Sequence, residues 1–270
     1  MQTLTLNNGV EMPVLGLGVY QTPPGPTTEA AVLWALDAGY RHIDTASVYG
    51  NEADVGAAIR TIGIPREEIF VTTKLWNDDQ GFRETRAACY ASLERLELDY
   101  VDLYLIHWPL KSTRLESYRA LESLYAEKIT RAIGVSNFLI PHLEELLLNA
   151  ETVPAVNQVE YHPFGYSRDL RDFCRMQGIA VQAYAPLAQA TRLDHPVVLQ
   201  VAEAHDKTAA QVLLRWSVQH GNIVLPKSVR KDRIEANARI FDFELSPTEM
   251  ARLDALEAGL HTCWDPRNAL

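Results

Sequence analysis

The stretch IFVTTKLWNDDQGFRETRAACYASLERLELDYVDLYLIH, residues 69–107, decides the fold. It opens with an apolar run, IFVTTK (69–74), passes through a segment of helical period, TRAACYASLERLEL (85–98), and closes with a second apolar run, VDLYLIH (101–107). Runs that stay apolar instead of alternating have both faces covered, the condition of parallel strands lying under helices. The stretch therefore reads as a strand, a covering helix and a parallel strand.

The unit repeats in both directions. With these two, eight apolar runs occur, the others being VLGLG (14–18), HIDT (42–45), AIGVS (132–136), AVNQVE (155–160), IAVQAYA (179–185) and NIVLPKS (222–228). Helical stretches such as TEAAVLWALDAG, LESYRALESLYAE and AAQVLLRWSVQHG lie between them. Thr208 with Gln211 and Ser246 with Glu249 have capping-box spacing, and Pro247 falls at the first helical position of the second box. Eight units in 270 residues predict an α/β fold of the closed (β/α)8 TIM barrel type, one domain over residues 1–270. An open doubly wound sheet is the alternative. Ahead of the first barrel strand, TLTL-NNG-VEM reads as an N-terminal β-hairpin with Asn8-Gly9 in its turn.

Hydrophobic residues at 47% and charged residues at 22% suit a packed core rather than disorder. No apolar run reaches the length of a membrane span, and MQTLTLNNGVEMP lacks the pattern of a signal peptide, so a cytoplasmic protein is expected. A net charge of −10 opposes nucleic-acid binding, leaving room only for a local anion site. Cys89, Cys174 and Cys263, odd in number and far apart, predict free thiols. A monomer acting on a small molecule is expected.

Three patterns fail as the motifs they suggest. Gly16-Leu17-Gly18 lacks the third glycine of a dinucleotide fingerprint, since position 21 is Gln21, and reads as a glycine-bent first strand. Gly134-Val135-Ser136-Asn137-Phe138 lacks the closing glycine of a nucleophile elbow. His42 and Asp44 have no further ligands at metal spacing, so no metal is expected.

Strand C-termini surround the mouth of such a barrel, so the ends of consecutive runs converge. Three of them end in ionisable groups, Asp44, Lys74 and His107, with Tyr49 on the loop just beyond the first. An ammonium beside a phenol depresses its pKa, and a carboxylate holds the ammonium in place. Tyr49 then serves as general acid, and His107 as a hydrogen-bond donor to a carbonyl oxygen. Such a set suits protonation of an alkoxide made by hydride delivery, and the hydride must come from a cofactor. Near the eighth run, PKSVRKDR (226–233) holds four basic residues just before the helical segment IEANARIF, a recurrent place for phosphate in barrels.

These residues resemble the aldo-keto reductases over essentially the whole chain: DTASVYGNE (44–52), TKLWN (73–77), IHWP (106–109), GVSNF (134–138), NQVEYHP (157–163) and PKSVR (226–230) stand in the family's order. The resemblance implies NADPH-dependent carbonyl reduction with Tyr49, Asp44, Lys74 and His107 as catalytic tetrad. It implies that Ser136, Asn137 and Gln158 hold the nicotinamide carboxamide and that Tyr184 stacks on its ring. Lys227, Ser228, Arg230 and Arg233 would meet the adenosine 2′-phosphate, with Val229 also in the cofactor site. At the adenine edge the family's Glu-Asn pair is Ala236-Asn237 here, so only Asn237 carries over. The segments LKSTRLES, PLAQATRLDHP and GLHTCWDPRNAL are short, as in the bacterial 2,5-diketo-D-gluconate reductase-like branch. They imply an open pocket of broad specificity for aldehydes and ketones, including α-dicarbonyls such as methylglyoxal and keto sugars, lined by Tyr20, Trp76, His107, Trp108 and Trp264. Two rivals remain: a non-catalytic NADP sensor like the potassium-channel β subunits, and a hydrolase pairing Asp44 with Glu52.

Overall fold

The apolar runs pair with one another in sequence order. In the computed structural model, which describes residues 2–269, eight parallel strands follow an antiparallel hairpin; Met1 and Leu270 of the expected 1–270 domain lie outside the described residues. The hairpin is β1 (Thr3–Thr5) and β2 (Glu11–Pro13). The barrel strands are β3 (Leu17–Gly18), β4 (His42–Asp44), β5 (Phe70–Leu75), β6 (Val101–Ile106), β7 (Thr130–Ser136), β8 (Val156–Glu160), β9 (Ala180–Tyr184) and β10 (Ile223–Val224). A parallel bridge between Leu15 and Val224, with Gly16 N donating to Val224 O at 2.9 Å, joins the first barrel strand to the last and closes the barrel.

Every residue of β5 and of β6 is buried, which is why those runs never alternate. Helices α1 (Pro26–Asp37), α2 (Glu52–Thr61), α3 (Phe82–Leu96), α4 (Arg114–Ala126), α5 (Ile140–Asn149) and α6 (Arg168–Met176) each follow one strand. The pair α7 (Pro196–Ala204) and α8 (Ala209–Gln219) lies between β9 and β10, and α9 (Lys231–Ala238) and α10 (Pro247–Asp254) follow the last strand. Both expected capping boxes form: Gln211 N donates to Thr208 Oγ1 at 3.2 Å, and Glu249 N to Ser246 Oγ at 3.3 Å. Among the described residues no helix is long and apolar enough to cross a membrane.

The hairpin plugs the floor of the barrel. Gly9, at φ +84°, allows the turn, and Asn7 and Asn8 donate to Pro154 O and Arg131 O, both at 3.0 Å. Leu6 and Met12 then complete an interior cluster with Phe70, Leu103, Leu105, Ala132, Ala155, Val156 and Ile223. Burial of each such side chain contributes about 1.5–3 kcal/mol. The sealed floor leaves the opposite, C-terminal face as the place for a site.

In the first strand a Cβ on Gly16 would lie 2.5 Å from His42 Nδ1, so this glycine makes room for a buried imidazole inside the barrel.

Candidate active site

Asp44, Lys74 and His107 meet at the mouth as the strand ends predict. All three are buried, Asp44 closing β4, Lys74 next to last in β5, and His107 directly after β6. The Lys74 ammonium has three hydrogens and three acceptors: Asp44 Oδ1 at 2.6 Å, Thr45 O at 2.9 Å and the Tyr49 hydroxyl oxygen at 3.3 Å. Because the lysine donates to Tyr49, the phenolic proton stays free to point elsewhere. Burial pushes the Asp44 carboxyl up and the Lys74 ammonium down, and their contact opposes both shifts.

Tyr49 sits on a short 3-10 turn, Ser47–Tyr49, ended by Gly50 at φ +69°. Three bonds fix the turn: Ser47 Oγ donates to Lys74 O at 3.1 Å, Thr45 Oγ1 to Asn51 Oδ1 at 2.8 Å, and Asn51 Nδ2 to Val19 O at 3.0 Å. The Gly-Asn pair thus holds the phenol over the mouth. Its ring lies 5.7 Å from that of His107 at 73°, and Trp76 stands edge-on to His107 at 5.3 Å.

One expectation fails on sign. Lys74 was expected to depress the Tyr49 pKa, but burial raises it well above 10, and the nearby Asp44 carboxylate adds to that rise. At neutral pH the phenol therefore keeps its proton. His107 moves the other way: burial, then Lys74, put its pKa well below 6.5, so the imidazole is neutral. Among the described residues its Nδ1 is buried without a partner, which favours the tautomer with the proton on Nε2, since an orphaned buried donor costs more than a bare acceptor.

Inside the barrel the carboxylate is held by a chain that the sequence reading did not find. Gln158 Nε2 donates to Asp44 Oδ2 at 2.8 Å and to Gln182 Oε1 at 2.7 Å; Gln182 Nε2 lies 3.4 Å from His42 Nε2, which meets Thr72 Oγ1 at 3.2 Å. The signal for it was a glutamine amid the apolar letters of IAVQAYA. Burial lowers the His42 pKa to about 3, so this network is neutral beyond Asp44.

The expected cofactor residues fall into two groups. Ser136 ends β7, Gln158 lies in β8 and Tyr184 ends β9, so they share the mouth with the tetrad. Ser136 Oγ donates to Gln158 O at 2.9 Å, while Asn137, at φ +64°, donates to His107 O at 3.0 Å and to Ser136 Oγ at 3.1 Å. Asn137 Oδ1 accepts the Tyr184 hydroxyl at 2.8 Å. Both amide hydrogens of Gln158 are used inside the barrel, and among the described residues its Oε1 has no partner. The second group follows β10. Ser228 Oγ accepts Arg230 N at 3.1 Å and shapes the loop, with Val229 exposed and Asn237 buried. Arg230 is paired with Asp232 at 2.7 Å, whereas Lys227 and Arg233 are exposed and have no carboxylate partner among the described residues. The helix starts at Lys231, so Arg233 lies in its first turn rather than before it.

Of the expected lining, Tyr20 packs on Tyr49 at 5.0 Å, and Trp264 faces Trp108 at 6.1 Å. Glu52 does not join the mouth: its oxygens take Thr73 Oγ1 at 2.5 Å and Arg95 Nε at 2.6 Å, so no carboxylate pair with Asp44 forms.

Residues 14–258 match the family described as the Aldo/keto reductase family. The chain belongs to that family. As an aldo/keto reductase it is an oxidoreductase, on the same barrel as its solved relatives. It is 54% identical to a glyoxal reductase of Bacillus subtilis over 94% of this chain and 92% of the relative. An aldo-keto reductase from a Medee basin deep-sea metagenome library superposes with a TM-score of 0.93 at 46% identity, covering 96% of both chains. A Bombyx mori aldo-keto reductase in complex with NADP gives 0.92 at 35% identity, over 97% of this chain and 94% of that one.

Proposed function

We propose that this aldo/keto reductase is an NADPH-dependent reductase of aldehydes and ketones, with α-dicarbonyls such as glyoxal and methylglyoxal as its leading substrates. The observation that carries the reading is the ammonium of Lys74, which donates to Asp44 and to Thr45 O and gives its third hydrogen bond to the Tyr49 oxygen, leaving the phenol's own proton free for a substrate. Neutral His107 directs Nε2–H at a carbonyl oxygen beside that phenol, drawing charge onto the oxygen. Tyr49 then gives its proton to the same oxygen, and Lys74, steadied by Asp44, stabilises the phenolate left behind. NADPH, when bound, supplies the hydride to the carbonyl carbon.

Two features fit the cofactor. The free Oε1 of Gln158 can accept an amide N–H such as that of a carboxamide, with Ser136, Asn137 and the ring of Tyr184 around it. On a chain of net charge −10, Lys227 and Arg233 keep free cations beside Ser228, Val229 and Arg230, a donor set suited to a 2′-phosphate and thus to NADPH over NADH. Asn237 is the one adenine contact carried over. The α-dicarbonyl preference rests on the glyoxal reductase relative, and keto sugars on the short loops of the 2,5-diketo-D-gluconate reductase-like branch. We further read the chain as one domain and as a monomer of the cytoplasm, where its free thiols would stay reduced.

The test is NADPH oxidation followed at 340 nm with glyoxal, methylglyoxal and simple aldehydes. Tyr49→Phe should lower turnover by roughly 10²–10⁴-fold while NADPH still quenches protein fluorescence. A folded Tyr49→Phe protein that keeps most of its activity would sink the assignment.

A further inference from the structure

In the motif NQVEYHP (157–163) the catalytic reading uses only Gln158. Glu160, the last residue of β8, has its carboxylate buried at the rim of the mouth. The chain's C-terminal segment supplies most of its donors. Thr262 donates to Glu160 Oε1 twice, from its amide at 2.7 Å and from its hydroxyl at 2.5 Å, and His162 Nε2 meets the same oxygen at 3.1 Å. His261 Nδ1 stands 3.4 Å from Oε2, near enough for attraction but not aligned for a hydrogen bond. Burial pushes this carboxyl up, yet the bonds from His162 and Thr262 outweigh it and hold the group at about 2.

The loop after β8 is shaped for the same segment. Phe164 O accepts Ala258 N at 3.1 Å and Leu260 N at 2.9 Å, and a Cβ on Gly165 would lie 1.8 Å from Leu260 O, so only glycine admits that carbonyl. Gln189 Nε2 donates to Thr262 O at 2.9 Å from the β9 side. From this anchorage the segment reaches across the mouth, where Trp264 meets Trp108 beyond β6. Trp264 is otherwise 69% exposed, so its place depends on the anchor and not on burial in the core.

We propose that Glu160 is a specificity-positioning residue: its carboxylate docks the C-terminal segment across the mouth and so makes Trp264 the wall against which the substituent of a carbonyl substrate rests. The proposal rests on the reductase reading above. Small dicarbonyls that never reach Trp264 would not sense the anchor. Aldehydes with an aromatic or long apolar substituent would.

Glu160→Leu removes the acceptor, whereas Glu160→Gln keeps one oxygen to accept these bonds and loses the charge. KM for phenylglyoxal should rise roughly tenfold in Glu160→Leu, the scale of one charge-assisted hydrogen bond, and less in Glu160→Gln. NADPH affinity and turnover of glyoxal should stay unchanged in both. In a Trp264→Ala background the Glu160 substitutions should have no further effect on phenylglyoxal. In the ligand-free protein, amide exchange across residues 258–264 should accelerate. Should Glu160→Leu fail to fold, Thr262→Val removes one of the same bonds and carries the same expectations. Equal effects on glyoxal and phenylglyoxal, a matching loss of NADPH affinity, persistence in the Trp264→Ala background, or unchanged exchange would each overturn it. Failure of the reductase reading looks different: the unsubstituted protein would then consume no carbonyl, whatever the exchange result.

Discussion

Two buried carboxylates, one at each end of the barrel, show what separates support from chemistry. Asp102, near the floor in β6, receives Arg66 at 2.8 Å, Arg131 at 2.7 Å and Val71 N at 2.9 Å. Asp44, at the mouth, receives Lys74 and Gln158. Both are hidden from water, so burial and ion pairing by themselves distinguish nothing. The partners do. An arginine cannot give up its proton, and beyond Asp102 the Arg66 fork reaches, among the described residues, only backbone carbonyls, Ile69 O and Tyr100 O, and the ring of Tyr100 at 4.2 Å. A lysine can, and Lys74 leads to a phenol that faces the mouth.

The largest effects come from breaking the two carboxylates in turn. Asp44→Asn leaves Lys74 as a buried charge without its counter-ion, which should cost about 3–5 kcal/mol in urea unfolding and lower turnover at least as much as stability suggests. Asp102→Asn should also destabilise, yet the folded fraction should keep its turnover. A loss of turnover per folded Asp102→Asn molecule would erase the distinction.

The same pair sharpens with pH. Lys74 is held below its ordinary pKa, so between that lowered value and about 10.5 the unfolded chain binds more protons than the folded one. Removing Asp44, whose contact props the Lys74 pKa up, lowers it further, so the stability of Asp44→Asn relative to the parent should recover as pH rises from the variant's Lys74 pKa to the parent's, where the stranded ammonium neutralises first, and then run parallel to it. Asp102→Asn should show no recovery, since Arg66 and Arg131 stay charged. Parallel urea titrations at several pH values read both curves.

A weaker effect concerns activity. With His107 well below 6.5 and Tyr49 well above 10, both stand in their working protonation states throughout the interval between. Single-turnover reduction should be flat upward from about pH 6.5 until Lys74, held below 10.5, gives up its proton, and an inflection near 6.5 would mean that burial does not hold His107 down.

How much of this was written in the letters follows from the range of the interactions. Parallel strands under helices must be apolar on both faces, so all eight runs were visible, as was the hairpin at Asn8-Gly9. NIVLPKS paired only over Ile223–Val224, because the chain leaves the sheet just before Pro226. The convergence of Asp44, Lys74 and His107 was legible because strand ends share one face of a barrel. The direction of the Tyr49 shift was not, since burial is a property of the assembled mouth. Nor was the bond between Glu160 and Thr262, which joins residues 102 apart, or the space that Gly16 yields to His42.

A third ion pair extends the comparison to the surface and gives the smallest expected effect. Arg230 and Asp232 meet at 2.7 Å with both side chains largely exposed, so the pair itself adds little to stability. Under the proposed function its weight would lie in cofactor choice. Asp232 opens the helix that follows the basic loop, and its carboxylate both occupies Arg230 and opposes a second negative charge there. Asp232→Asn should leave unfolding unchanged and tighten NADPH severalfold, with NADH, which lacks the 2′-phosphate, unaffected. The difference should shrink as salt is raised, because exposed charges are screened within about 10 Å at 0.1 M. Fluorescence titration with both cofactors at two salt concentrations reads it directly, and equal tightening of NADH would move the phosphate away from Arg230.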